Sequence, residues 1–249
     1  MKFKEFIQPP DYKTFRKALA AVCEDRHLEL KTIGAVGPRD LYAVTVNPKA
    51  SRTVCFVAGV HGDEVAGPLA VLEFLGKAKI PNNLRVLALP LVNPIGFDEK
   101  TRNAGNVNIN RQFGGKKPTH EAGLIYDFLS AEKIDFLHSL HEDDGADGFY
   151  LYYQDKAIKS HCEKILQVVS SSMPLESRKV IYEDPVEQKG LIFVEKTKAA
   201  RHAESLECWM FRRGANYICT ETPTNVAMEK RVDCHVAVMK YVIKWPLTQ

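Results

Sequence analysis

His61 and Glu64, in the stretch Val57-Ala58-Gly59-Val60-His61-Gly62-Asp63-Glu64, are the first residues whose types and spacing could do chemistry. They offer an imidazole nitrogen and a carboxylate oxygen, which are donor types that zinc takes. A solvated loop histidine and glutamate would read the same way, because H-x-x-E alone is a weak pattern. Three other places carry comparable groups. His141 closes the apolar run that begins at Ile134. Glu221 follows the run Asn216-Tyr217-Ile218-Cys219-Thr220, where an ionisable group is costly unless it has a partner or work to do. The polar segment Phe97 to Pro118 has little periodicity and holds Arg102, Asn103, Asn106, Asn108, Asn110 and Arg111 with almost no acidic balance. Guanidinium forks suit a carboxylate-bearing ligand. A solvated Asn-rich loop is the alternative reading.

Positioning these groups falls to strands. Thr53 to Val60 is apolar and β-branched enough for a central strand buried on both faces. Apolar residues at Val65, Leu69, Leu72 and Leu75 predict a helix after it, and Leu84 to Val92 a second strand. A strand, helix, strand unit of this kind needs a parallel crossover. The H-x-x-E loop therefore falls at the carboxyl end of a parallel strand, where open α/β sheets bind ligands. Thr119 to Glu132 reads as a helix feeding the third strand, Ile134 to Glu142. Within that strand His138 and His141 point to opposite faces. The edge position favours His141 for the site and leaves His138 as a packed, hydrogen-bonded core residue.

The rest of the chain reads as scaffold. Asp11 caps a helix with Phe15, Leu19, Val22 and Cys23 on its apolar face, and Leu41 to Val46 is a candidate edge strand. Phe149 to Tyr153 is an aromatic strand, followed by a helix capped by Asp155. Met173 to Lys198 is mixed and charged, a loop or insertion near the site. Ala199 to Arg213 is predicted helical and ended by Gly214. A last helix from about Val226 carries the stripe Met228, Val232, Val236, Met239, Ile243. With 45% hydrophobic and 26% charged residues and no linker, residues 1–249 read as one globular domain. A net charge of +3 with scattered basic residues argues against nucleic acid as a partner. Six cysteines without C-x-x-C spacing read as reduced core residues. No apolar run has membrane-spanning length and Met1 to Pro10 has no continuous apolar segment, so the expectation is a cytoplasmic protein without membrane contact.

Taken in order, His61-Gly62-Asp63-Glu64, Arg102, Asn110-Arg111, Leu140-His141 and Thr220-Glu221-Thr222-Pro223 resemble the M14 zinc carboxypeptidases and their succinylglutamate desuccinylase and aspartoacylase relatives. The resemblance spans about residues 53 to 225 and rests on the order and strand-end placement of the motifs together. It implies a three-layer α/β/α domain with a mixed, mainly parallel sheet. It also implies one Zn²⁺ per chain held by His61, Glu64 and His141, with Glu221 as general base and Arg102 at the oxyanion. Asn110 and Arg111 would hold a substrate carboxylate. The implied reaction is cleavage of an amide bond in a small peptide or peptide-like substrate with a free carboxylate. An N-acyl-amino-acid deacylase is the alternative, and a non-catalytic carboxylate-binding protein on the same fold a third; the latter needs no Glu221. The short spacer from Glu64 to His141 and the closeness of Arg102 to Asn110-Arg111 point to the aspartoacylase-like branch. Asn108 stands where the family commonly has an acidic residue. The short stretch after Glu221 makes a single-domain member, similar to small bacterial murein-peptide amidases, the expectation.

Overall fold

Runs too apolar to face water on either side build the middle of the sheet. The structure, a computed structural model, describes residues 10–103, 105, 107–118, 120–195 and 202–245. Its elements in chain order are α1 (Tyr12–Asp25), β1 (Glu29–Val36), β2 (Arg39–Val46), β3 (Arg52–Ala58), α2 (Ala66–Lys77), β4 (Leu84–Leu89), α3 (Pro94–Glu99) and α4 (His120–Ser130). Then come β5 (Phe136–Asp143), β6 (Tyr150–Tyr153), α5 (Lys159–Ser170), β7 (Val180–Ile181), β8 (Asp184–Pro185), β9 (Leu191–Phe193), α6 (Leu206–Arg212), β10 (Asn216–Pro223) and α7 (Met228–Val242).

Eight strands form one sheet in the order β1-β2-β4-β3-β5-β10-β6-β9, and β7 pairs with β8 alone. The four central strands, β4, β3, β5 and β10, run parallel, and β2 and β6 flank them antiparallel. Alternation along β3 splits the core in two. Val54, Phe56 and Ala58 pack with α1, α2, α5 and α7. Cys55 and Val57 pack on the other face with α4 and α6. The result is a mixed, mainly parallel α/β sheet with helices on both faces, as expected. Six cysteines are buried and unpaired. No described helix is long and apolar enough to cross a membrane.

Four readings differ from the sequence expectation. Leu41 to Val46 is not an edge strand, because β1 pairs outside β2 as an antiparallel hairpin partner. No residue of β1 is fully buried, so it carries no apolar signature, and a register shift between Thr32 and Gly34 breaks its alternation. After β4, the polar segment opens with the short helix α3, whose N-cap Asn93 accepts a hydrogen bond from the Gly96 amide. The stretch expected as a loop from Met173 holds the β7–β8 hairpin and β9. Of the helix expected over Ala199 to Arg213, Leu206–Arg212 is helical, with Ser205 as N-cap. Residues 1–9, Asn106, Thr119 and 196–201, to which other expectations referred, lie outside the described residues.

Glu142 ties three elements together at the site end of the sheet, β5 with α2 and α7 of the layer on one face. One of its oxygens accepts the Ala66 amide at the start of α2, 2.8 Å away, and the other pairs with Arg231 of α7. Burial pushes its carboxyl up to about 7 against the pull of Arg231.

Candidate active site

β3 ends at Ala58, and Gly59, at φ 64, turns the chain out of the strand. A side chain is strained in that left-handed region. The turn is pinned to the exit of β4 by the Val92 amide on the Ala58 carbonyl and the Asn93 amide on the Gly59 carbonyl. The Gly62 amide then donates to the Arg102 carbonyl at 3.1 Å, which seats the polar segment beside His61. Gly62 lies flat against α3: a Cβ there would meet the Gly96 carbonyl carbon at 2.0 Å. Backbone cannot move aside as a side chain can. Gly62→Ala is therefore expected to cost about 2 kcal/mol or more by overpacking and to displace His61, measurable as a lowered Tm with weakened metal uptake.

Register brings the second half of the site into place. β10 and β5 are parallel, with Glu221 opposite His141 and Cys219 opposite Ser139. Neighbouring strands lie about 4.8 Å apart, and directly paired residues share a face. Alternation sends His138 to the other face, where its Nε2 meets Thr220 Oγ1 at 2.8 Å and its ring packs edge-on against Phe56. This is the core role expected of it.

His61 Nδ1 lies 2.6 Å from Glu64 Oε1, and His141 Nδ1 lies 2.7 Å from Glu64 Oε2. All three residues are buried. Their donor atoms fall within 4.8 Å of one another. Two imidazole nitrogens converging on one carboxylate form a donor set that fits a catalytic zinc, which takes three protein ligands and keeps a fourth position open. Arg102 Nη1 reaches Glu64 Oε1 at 3.0 Å with half its side chain exposed. Burial acts against the Glu64 charge, yet His61 and His141 hold its carboxyl far below the usual range. Burial likewise opposes the His141 imidazolium, but Glu64 and then Glu207 hold it well above the usual histidine value.

Glu221 is packed round by protein except where it opens on the cavity. Burial is the main reason its carboxyl sits well above the ordinary value; His141 pulls it down, and Glu64 and Asp143 push it up. The cavity holds about 530 Å³ and takes in His61, Glu64, Arg102, Arg111, His141 and Glu221 together. Arg111 is exposed, with Nη1 on the Asn110 carbonyl at 2.8 Å. Asn110 is buried and its side chain is turned to α6: Oδ1 accepts the Leu206 amide at 2.9 Å, and Nδ2 donates to Glu207 Oε2 at 3.3 Å.

Sequence reasoning missed Glu207, Asp143 and the tyrosines of the cavity wall. Asp143 accepts the hydroxyls of Tyr150 and Tyr182, each at 2.7 Å. Tyr182 comes from the β7–β8 turn, where it and Glu183 both have positive φ. Glu207 had a signal: it is the one charged residue in the otherwise apolar run Leu206 to Phe211.

The fold and the cluster at its edge are those of a metallohydrolase. Residues 50–174 match the succinylglutamate desuccinylase/aspartoacylase catalytic domain, and the chain belongs to that family. A candidate metallopeptidase from Shewanella amazonensis SB2B is 26% identical, with a TM-score of 0.84 over 94% of this chain and 92% of that one. Another, from Shewanella baltica OS155, is 28% identical, with a TM-score of 0.83 over 94% and 92% of the two chains. The metallo-carboxypeptidase of Burkholderia cenocepacia shares the fold at 13% identity, with a TM-score of 0.73 over 95% of this chain and 69% of that one. No curated protein matches the sequence.

Proposed function

We propose that the chain is a zinc-dependent amidohydrolase, a single catalytic domain acting in the cytoplasm on small peptides or peptide-like molecules that bear a free carboxylate. The observation that carries this reading is the convergence of His61 and His141 on Glu64, with Glu221 and Arg102 opening on the same cavity. The six buried, unpaired cysteines support a reducing compartment.

His61, Glu64 and His141 would hold the ion. Zinc supplies Lewis acidity there, polarising the scissile carbonyl and making water acidic near neutral pH. Glu221 takes the proton of the attacking water and returns it to the leaving nitrogen as the C–N bond breaks. Arg102 donates to the oxyanion of the tetrahedral intermediate. Arg111, exposed at the cavity, pairs with the substrate carboxylate.

The family match favours a second reading, removal of an acyl group from an N-acyl amino acid. The aromatic wall of the cavity, Tyr150, Tyr152 and Tyr217, supports the peptide, since it offers apolar surface that an acetyl or succinyl group does not need. Both readings put a free carboxylate on the amine side of the scissile bond; they differ in the acyl side, a peptidyl group in one and a simple acetyl or succinyl group in the other. The expected result is release of the C-terminal amino acid from short peptides, with Arg111→Ala raising KM about tenfold or more and leaving kcat in place, because the contact is made in ground and transition states alike. Release of acetate or succinate from acylated amino acids, with peptides untouched, would make it a deacylase.

A further inference from the structure

The two histidines of the site are not supported alike. His61 Nε2 is buried without a hydrogen-bond partner among the described residues. His141 Nε2 faces a carboxylate: Glu207 Oε1 stands 3.4 Å away, an ion-pair separation at the outer limit of a hydrogen bond. Both side chains are buried, and the Ser139 hydroxyl beside Glu207 also acts on its carboxylate. The other Glu207 oxygen is held by Asn110, whose own oxygen is fixed by the Leu206 amide. A continuous path thus runs from the 3₁₀ turn Ile109–Arg111 through Asn110 and Glu207 to His141 and on to Glu64.

We infer that Glu207, held by Asn110, is the positioning residue for His141, and that Asn110 serves the metal site rather than the substrate carboxylate. The inference rests on the zinc-hydrolase reading. A carboxylate on Nε2–H fixes the tautomer that leaves the Nδ1 lone pair free, sets the ring angle and makes the imidazole a better donor. An amide committed to a helix amide and a carboxylate has at most one N–H left to offer. Arg111, on the same turn, is left as the carboxylate-binding group. Asn110 couples it to the metal site through the backbone they share.

Zinc affinity, measured by competition with a chromophoric chelator on the whole chain, tests the assignment with a readout independent of turnover. Glu207→Gln keeps the shape and is expected to weaken zinc binding by roughly tenfold to a hundredfold. Asn110→Ala is expected to weaken it by about tenfold while leaving KM for a carboxylate-bearing substrate unchanged. Adding it to Glu207→Gln should cost nothing further, since both act on one path. Ser205→Ala is the control: it removes the N-cap of α6, whose hydroxyl accepts the Cys208 amide. It should lower Tm and leave zinc affinity alone, which separates positioning from loosening of the helix. Should wild type take up no zinc, the hydrolase reading falls and the inference with it. If wild type binds one zinc and Glu207→Gln binds it equally well, the assignment of Glu207 alone is overturned. Asn110→Ala that raises KM as Arg111→Ala does, at intact zinc affinity, returns Asn110 to the substrate. A second equivalent of zinc, lost in both Glu207→Gln and Cys219→Ser, would also overturn it: the donor atoms of His141, Glu207 and Cys219 lie within 4.8 Å of one another, and Glu207 would then be a ligand.

Discussion

Glu221→Gln is expected to keep the fold and the metal while lowering turnover by roughly a hundredfold to ten-thousandfold, the range over which a positioned acid–base group contributes. The amide has the shape of the carboxylate and can still occupy the slot opposite His141 and Tyr150 on the neighbouring strands. It cannot accept a proton from water or hand one to a leaving amine. Because the amide fills the same space as the carboxyl, it should be tolerated without loss of Tm. Steady-state kinetics beside zinc analysis and a melting curve separate these effects. Two other carboxylates could be considered for the role. Glu142 is already engaged by the Ala66 amide and Arg231, and Asp63 is exposed. Substantial activity in Glu221→Gln, alongside its loss in His61→Ala, would move the general base to one of them.

How far such residues can be found beforehand depends on whether their signal is local. His61, Glu64 and His141 were legible because each follows or ends an apolar run, and the parallel crossover of β3, α2 and β4 fixes which edge those runs share. Strand parity was enough to separate His138 from His141. β1 was not legible, since its residues are exposed or half-buried and its pairing comes only from the hairpin with β2. Nor were the partners of Asn110. The Asn-Arg pair reads as two ligand-binding groups, whereas the side chains part company on the folded turn: Asn110 goes inward to Leu206 and Glu207, nearly a hundred residues later in the chain, and Arg111 outward to the cavity. Contacts of that sequence separation depend on how α6 docks against β5 and β10, and no periodicity in either segment encodes it.

His141→Ala is expected to abolish zinc uptake, and His138→Ala to leave it at one ion per chain. The two residues are three apart on β5, so the pleat sends their side chains to opposite faces. His141 points to Glu64 on the face covered by α6; His138 lies between Phe56 and Thr220 on the face covered by α7. Removing His141 leaves Glu64 and a single imidazole, two donors where a catalytic zinc needs three. Removing His138 opens a cavity in the core and takes the shortest of its hydrogen bonds from the Thr220 hydroxyl, which keeps the Ser139 carbonyl and His235; this should cost about 2–4 kcal/mol and lower Tm. The variants should therefore divide on two axes, stability and metal. Elemental analysis after dialysis and the rise of Tm on adding zinc read the metal, and the starting Tm reads stability. An ion bound only by the native state adds about 4 kcal/mol at a thousandfold excess over Kd. Wild type and His138→Ala should both show that rise, from different starting temperatures, and His141→Ala should show none. Equal loss of zinc from both variants would mean that the ion is not held at the β5 edge through His141.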